Sequence, residues 1–364
     1  MRQDRPGPQH PWLMGLDDCH NTIDFRELAR RRLPGAVFHY IDGAADDEVT
    51  RRRNSAAYED CDLVPNVLAG VETIDMGVTV MGRKVAMPLL LSPTALQRIF
   101  HWRGERAVAA VAQRFNTWFG ISSLATVSIE DIGAAITSPK LFQLYVHKDK
   151  GLNTSLVERC QAAKFDAIAL TVDTIVSGNR ERCQRTGFTT PPRLTPASVF
   201  DFAVHPRWTL NYLLRESFDL ANLKDHVSAG SNEPISIQNY FNSQLDTAMD
   251  WKTAEAIRVQ WGGAFCIKGV MSVADAKRAV AIGATAIMVS NHGGRQLDGS
   301  RAPFDQLAEI VDAVGGQIEV ICDGGVTRGS HVLKALSLGA NAASGGRLYL
   351  YALAAAGEAG VDRA

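Results

Sequence analysis

No C-x-x-C pair occurs in this chain of 364 residues, and none of its six cysteines, Cys19, Cys61, Cys160, Cys183, Cys266 and Cys322, has a histidine at metal-ligand spacing. Such scatter excludes a disulfide scaffold and a cysteine-built metal centre; it reads as reduced thiols in a reducing compartment, with no metal expected. Long apolar runs are missing too. Val85 to Leu91 is typical of the longest, far short of the roughly 20 residues a bilayer crossing needs. A spanning helix is thereby excluded, though contact with a membrane surface is not. Met1 to His20 lacks the apolar core of a secretory signal and carries Asp17, Asp18, Pro6, Pro8 and Pro11. The expected location is cytoplasmic, with peripheral attachment to the inner face of a membrane left open. Charge of one sign is not in excess either: 38 Lys and Arg face 39 Asp and Glu. Nucleic acid is therefore not an expected partner, because gripping phosphates takes a clustered basic surplus. The runs Arg30-Arg31-Arg32 and Arg51-Arg52-Arg53 read as solvated helix faces.

What the sequence does have is a rhythm. From about residue 86, short apolar runs (MPLLLSPT, TWFGISS, KLFQLYV, AIALTVD, AFCIKG, AIMVSN, IEVICDGG) alternate with stretches of helical period. Continuous apolar strands between helices build a parallel sheet buried on both faces. Seven such units predict an α/β fold, a TIM (β/α)8 barrel over residues 86–364. ANAASGGR supplies the eighth strand by counting, although it is poor in β-branched residues. Residues 1–85 read as an N-terminal arm, with a helix around FRELARRRL and a small hairpin at VTVMGRKV, packing on the barrel and closing its bottom. One connection breaks the rhythm: residues 174 to about 250 form a long insertion after strand 4. Its mixture of Pro and aromatics is too apolar for a passive linker and predicts a surface that docks on something.

In a barrel of this kind the chemistry sits where the strands end. The residues there are Ser92-Pro93-Thr94, Ser122-Ser123, Gln143 and Tyr145, Thr171 and Asp173, Lys268, Ser290-Asn291-His292, and Asp323-Gly324-Gly325. Each alone could merely cap a helix; converging on one mouth, they predict a site. The glycines of DGGVTRGSH and GGR set backbone amides beside helix starts, which suits a phosphate. The sharpest signal is SNHGGRQLDG, where His292 and Arg295 stand three residues apart and Gly293 and Gly294 let the chain turn between them. An imidazole can take a proton near neutral pH, and a guanidinium grips a carboxylate with two hydrogen bonds. Proton removal from an acid-bearing substrate uses both groups. A non-redox barrel enzyme acting on a phosphorylated substrate would use the glycines alone.

The motifs YIDGAADDE, SPTA, ISSLATVSIED, FQLYVHKD, LTVDT, GNRER, IKGV, SNHGGRQLDG, DGGV and GEAGV occur in that order between about Phe25 and Gly360. In this the chain resembles the FMN-dependent L-2-hydroxy acid dehydrogenases and oxidases, the family of glycolate oxidase, mandelate dehydrogenase and bacterial L-lactate dehydrogenase. The resemblance implies FMN as cofactor, oxidation of a small L-2-hydroxy acid to the 2-oxo acid, with lactate ahead of mandelate, and a homo-oligomer, a homotetramer by family habit. It implies His292 as the base and Asp173 as the carboxylate that steadies its imidazolium. Arg180 and Arg295 would clamp the substrate carboxylate, with Tyr40 assisting and Tyr145 near the substrate hydroxyl. Lys268 would face the N1/O2 region of the flavin, which Gln143, Thr171, Ser122 and Ser290 would hydrogen-bond, while the backbone of Pro93-Thr94-Ala95 would lie along the ring. Asp323, Gly324, Gly325, Gly346 and Arg347 match the ribityl-phosphate end. Leu124, where glycolate oxidases carry a bulky aromatic, leaves room beyond glycolate. The insertion, with its HPRW, resembles that of quinone- or cytochrome-linked dehydrogenases and favours such an acceptor over O2; an O2-using oxidase is the alternative.

Three departures from the family pattern stand out. Thr327 takes the place of an arginine at the phosphate, with Arg328 one residue later. The eighth strand has small residues ahead of Gly346-Arg347, and Leu348 replaces a common proline. Relatives also continue some tens of residues past GEAGV. These departures predict imperfect barrel closure and weaker phosphate binding, and they motivate a third reading, a degenerate barrel without FMN.

Overall fold

Asn21 accepts hydrogen bonds from the amides of Ile23 and Asp24 and so starts the first helix, α1 (Thr22–Arg32), whose buried face is Phe25, Leu28 and Ala29. Two shorter helices, α2 (Gly35–Asp42) and α3 (Val49–Ala56), complete the helical part of the arm. The computed structural model describes residues 14–189, 194–217, 219–223 and 242–364. An antiparallel hairpin follows, β1 (Val78–Val80) and β2 (Arg83–Val85), turned by Met81 and Gly82 at φ +48° and +74°.

Eight parallel strands then close a barrel: β3 (Leu89–Thr94), β4 (Phe119–Ser122), β5 (Lys140–Leu144), β6 (Ala167–Thr171), β7 (Ala264–Val270), β8 (Ala286–Ser290), β9 (Glu319–Asp323) and β10 (Ala342–Gly345). The expected imperfect closure does not occur. β10 pairs with β9 through Ala342, Ala343 and Ser344 and with β3 through Ala343, Ser344 and Gly345. A strand held by ladders on both sides needs no β-branched side chains of its own, and its small residues fill the space its neighbours leave.

Strand alternation sorts the residues by face. Leu90, Trp118, Leu141, Ala167 and Ala169, Cys266, Ala286 and Met288, Ile321 and Ala342 pack together in the barrel interior. On the same face, two or four residues further along, come Ser92, Ser122, Gln143, Thr171, Lys268, Ser290, Asp323 and Ser344. The interior therefore changes from apolar to polar in one step, at the end of the barrel where the strands finish. At the opposite end Val80, Met81 and Val85 of the hairpin join the apolar layer, and the Met81 amide donates to Glu319 at 2.7 Å.

The connections carry α4 (Gln97–Phe100), α5 (Glu105–Arg114), α6 (Ile129–Ala135), α7 (Lys150–Ala162), α8 (Glu181–Arg185), α9 (Pro196–Val204), α10 (Pro206–Leu214), α11 (Trp251–Trp261), α12 (Val273–Ala281), α13 (Pro303–Val314), α14 (Gly329–Ser337) and α15 (Arg347–Arg363). The insertion after the fourth barrel strand contributes α8, α9 and α10; its residues 190–193, 218 and 224–241 lie outside the described residues. Trp208 anchors α10 by donating its indole N–H to the Ile99 carbonyl at 2.7 Å. Phe200 of α9 and Leu210, Leu213 and Leu214 of α10 stand exposed. Among the described residues no helix is long and apolar enough to cross a membrane.

The arginine runs are not simply solvated. Arg30 and Arg31 pair with Glu27 on their own helix, but Arg32 reaches the Ala355 carbonyl and Arg51 turns inward to Asp42. Each follows the helical phase of its position.

Candidate active site

The polar layer is one connected network. Lys268 at the end of β7 forms an ion pair with Asp323 of β9 and donates to Ser290 at 3.0 Å, while Ser290 and Ser92 each donate to Asp323 at 2.7 Å. Burial works against both charges. Asp323 and Asp173 nevertheless hold Lys268 above the ordinary lysine range, and Lys268 with the two serine hydroxyls holds the Asp323 carboxyl below its own. A lysine kept charged inside a barrel is a fixed cation beside the cavity.

His292 follows β8 in a left-handed conformation at φ +57°, and Gly293 and Gly294 continue in it at +66° and +73°. A non-glycine residue held there is strained, and its surroundings must enforce the geometry. They do so through Asn291, which exchanges two hydrogen bonds of 2.8 Å with Asn54 of α3, and through Asp298, whose carboxylate accepts the Val49 and Thr50 amides at the start of that helix. The result aims Nδ1 of His292 at Asp173 Oδ1, 2.9 Å away. A carboxylate at one ring nitrogen fixes the tautomer and leaves the other nitrogen as the proton acceptor.

Arg180 and Arg295 stand beside this pair. Arg295 donates to the carbonyls of Tyr40 and Gly43 and lies 4.9 Å over the Tyr40 ring. Arg180 donates to the Arg295 carbonyl and to Gln296. A Cβ on Gly178 would stand 2.1 Å from that same carbonyl, so the GNRER loop reaches Arg295 only because a glycine is there. Burial and the Arg295 charge pull the Arg180 pKa down to about 10. Neither guanidinium has a carboxylate partner among the described residues. Two cations side by side without an acid form a receptor for an anion brought from outside. Burial also raises the Tyr145 hydroxyl well above its ordinary pKa, keeping it a neutral donor.

All these groups meet at a cavity of about 1200 Å³. Of the residues expected at the site, Tyr40, Pro93, Thr94, Ala95, Ser122, Tyr145, Arg180, Lys268, His292, Arg295, Asp323, Gly324, Gly325, Gly346 and Arg347 line it. Gln143, Thr171, Ser290 and Asp173 stand just behind. Gln143 accepts from Ser122 at 2.8 Å, and Thr171 pairs with Lys268 in the ladder. Leu124 is also in the wall.

FMN fits this lining on two observations. The Gln143 amide nitrogen and the Thr171 hydroxyl are buried without a hydrogen-bond partner among the described residues, and a pair of neighbouring orphans calls for a polar ring edge to satisfy them. The cavity also runs on past Gly324 and Gly325 to Gly346 at the start of α15, where free helix amides suit a phosphate. The Arg347 side chain, by contrast, is bound to the carbonyls of Ile41, Gly43 and Gly293 and ties the arm to the barrel. Both Thr327 and Arg328 line the phosphate end, together with Arg26, Arg51, Arg52 and His331.

Sequence reading passed over Ser344 and Arg26 and took the inward-turned Arg51 for part of a solvated face. Strand alternation from Asp323 and Ser92 marks Ser344; nothing local marks the arginines, whose partner Asp42 lies on another helix.

Comparison with known proteins agrees with this geometry. A model of the family described as FMN-dependent dehydrogenase matches residues 29–364. The chain is 39% identical over 346 residues to an L-lactate dehydrogenase of Alcaligenes faecalis, covering 94% of this chain and 90% of that one. It is 38% identical over 345 residues to an L-lactate dehydrogenase of Vibrio parahaemolyticus, with the same coverages. Among solved structures, the monotopic membrane protein (S)-mandelate dehydrogenase superposes with a TM-score of 0.88 at 34% identity, covering 94% and 91% of the two chains. A mandelate oxidase does so with 0.80 at 35%, covering 94% and 89%.

Proposed function

The chain belongs to the FMN-dependent dehydrogenase family and is an FMN-dependent L-2-hydroxy acid dehydrogenase, and from that premise we propose that it oxidises L-lactate to pyruvate, with mandelate as the second choice. The observation that carries the reading is the Arg180–Arg295 pair, which has no acid among the described residues, beside the His292–Asp173 pair at one cavity. A 2-hydroxy acid brings the missing carboxylate. Its hydroxyl then falls among His292, Tyr145 and Tyr40, where the imidazole takes the proton and Asp173 steadies the resulting imidazolium. FMN would supply the two-electron acceptor for the substrate carbon. Lys268, kept charged by Asp323, would stabilise negative charge arriving at the wall it faces, while Ser122, Gln143, Thr171 and Ser290 would hold the cofactor. Asp323 and the Gly324-Gly325 and Gly346-Arg347 backbones would take its ribityl-phosphate end, and Pro93, Thr94 and Ala95 would line its ring.

A membrane-linked acceptor, a quinone or cytochrome, fits the apolar outer face of α9 and α10, which would rest on the inner membrane surface. A homo-oligomeric assembly belongs to the same reading. The deciding experiment is anaerobic addition of L-lactate to the yellow holoenzyme and to His292→Ala. The native protein bleaches and the variant, with FMN still bound, stays yellow. A variant that bleached as fast would remove His292 from its role.

A further inference from the structure

A second cavity, of about 280 Å³, lies outside the barrel mouth, between α10, the segment from Arg98 to Trp102, and the small residues Ala354 to Ala359 of α15. Three features define what it would take. Its α10 wall is aromatic: Trp208 and Tyr212 stack with centroids 5.0 Å apart and planes 13° from parallel. Its cations outnumber its acids: Arg32, Arg98, Arg207 and Arg215 line it against Glu216 alone, which pairs with Arg98, and neither Arg32 nor Arg207 forms an ion pair among the described residues. They lie close enough that Arg207, after burial, is what lowers the Arg32 pKa. His101 adds a neutral ring, since burial takes its pKa down to about 4, and the Arg103 amide donates to its Nδ1, leaving the proton on Nε2. A kink in α15 makes room here, because Gly357 at φ +64° lies so near that a Cβ would stand 2.5 Å from Nε2 of His101.

The third feature is position. Phe100 lines this cavity and stacks on Tyr40, centroids 6.1 Å apart and planes 23° from parallel, and Tyr40 lines the large cavity. Two stacked aromatic rings, one lining each cavity, lie between the two.

We propose that this second cavity seats the ring of a quinone, the two-electron acceptor of the enzyme. The proposal rests on the dehydrogenase reading above and gives it a place for the electrons to go. A 2-hydroxy acid loses two electrons and two protons in becoming a 2-oxo acid. A quinone takes up both, each carbonyl oxygen becoming a hydroxyl, so that 2-hydroxy acid plus quinone gives 2-oxo acid plus quinol with no further reactant. The stacked wall matches a flat ring. The guanidiniums match its carbonyl oxygens and stabilise the negative charge that builds on them during reduction. The volume is at the small end for ligand sites, roughly 300–1000 Å³, which suits a single-ring head and leaves an isoprenoid tail outside, beside the exposed Leu210, Leu213 and Leu214. A lipid headgroup would use the charge but neither the stacked wall nor the contact with Tyr40.

Ala359, exposed at the rim, is the residue to enlarge. Decylubiquinone added to the oxidised holoenzyme quenches tryptophan fluorescence saturably, through Trp102 and Trp208, and Ala359→Phe weakens that binding about tenfold or more. Enzyme reduced anaerobically by L-lactate is reoxidised by decylubiquinone at least about tenfold more slowly in the variant, while reoxidation by ferricyanide changes less than about twofold. Arg207→Leu slows the quinone reaction in the same selective way without crowding the rim. Equal quinone rates in native and variant protein, or quenching abolished by phosphatidylglycerol vesicles lacking quinone, would overturn the assignment. Failure of every 2-hydroxy acid to bleach the flavin would instead sink the dehydrogenase reading, and the quenching titration would still report on the cavity.

Discussion

Two groups of arginines flank the N-terminal arm, and they are handled in opposite ways. Arg26, Arg51 and Arg182 converge on Asp42, a fully buried carboxylate that also accepts from Tyr351, and Arg182 makes a second ion pair with Glu48. Arg180, two residues from Arg182 in the chain, and Arg295 meet, among the described residues, carbonyls, an amide and an aromatic face but no acid. Residues of one type thus meet two carboxylates, Asp42 and Glu48, in one place and none among the described residues in the other. The first arrangement fastens helices together; the second waits for a carboxylate that the protein does not make.

Deleting a receptor charge tests this contrast most severely. Arg295→Met is expected to lower kcat/KM for L-lactate by about 10²–10³-fold, mostly through KM, with FMN retained; steady-state kinetics on yellow enzyme measure it. Deleting the neutralised charge moves the other property. Asp42→Asn leaves three guanidiniums facing a neutral amide and is expected to cost about 3 kcal/mol of stability, read by urea unfolding, while the folded fraction still turns over. Burial opposes the Asp42 charge, but Arg26 and Arg51 hold its carboxyl well below the usual range. The stability it contributes is therefore complete above the unfolded value near 3.9 and is lost as pH falls below it. The variant should show a flatter acid limb, and an unchanged limb would show that Asp42 is not the sensor.

A third, smaller effect is expected from keeping the charge while losing the fork. Arg180→Lys should raise KM for lactate about tenfold while kcat changes little, because an ammonium cannot make the two parallel hydrogen bonds of a guanidinium. An unchanged KM would take Arg180 out of the carboxylate clamp. The smallest effect is expected at the phosphate end, where Thr327→Arg should slow FMN dissociation several-fold, on the order of 1 kcal/mol for one partly exposed charge, as followed by flavin fluorescence on dilution.

The barrel was legible because its signal is repeated. Each apolar run ended in a polar residue, and those polar residues are the ones that alternation turns inward. The SNHGGRQLDG loop was legible for its chemistry but not for its architecture, since the fastening of Asn291 to Asn54 and of Asp298 to the start of α3 joins residues more than 230 positions apart. Closure by β10 was misjudged because strand propensity is a property of the side chains, whereas a last strand is held by its neighbours' backbones. Arg51 escaped because a run of three arginines says nothing about which of them faces a buried acid.

The hairpin that joins the apolar layer at the foot of the barrel has a kinetic meaning. With the floor plugged by Val80, Met81 and Val85, reactant and product share one doorway above the strand ends. Each 2-oxo acid has to leave before the next molecule can enter, and turnover becomes a queue in single file.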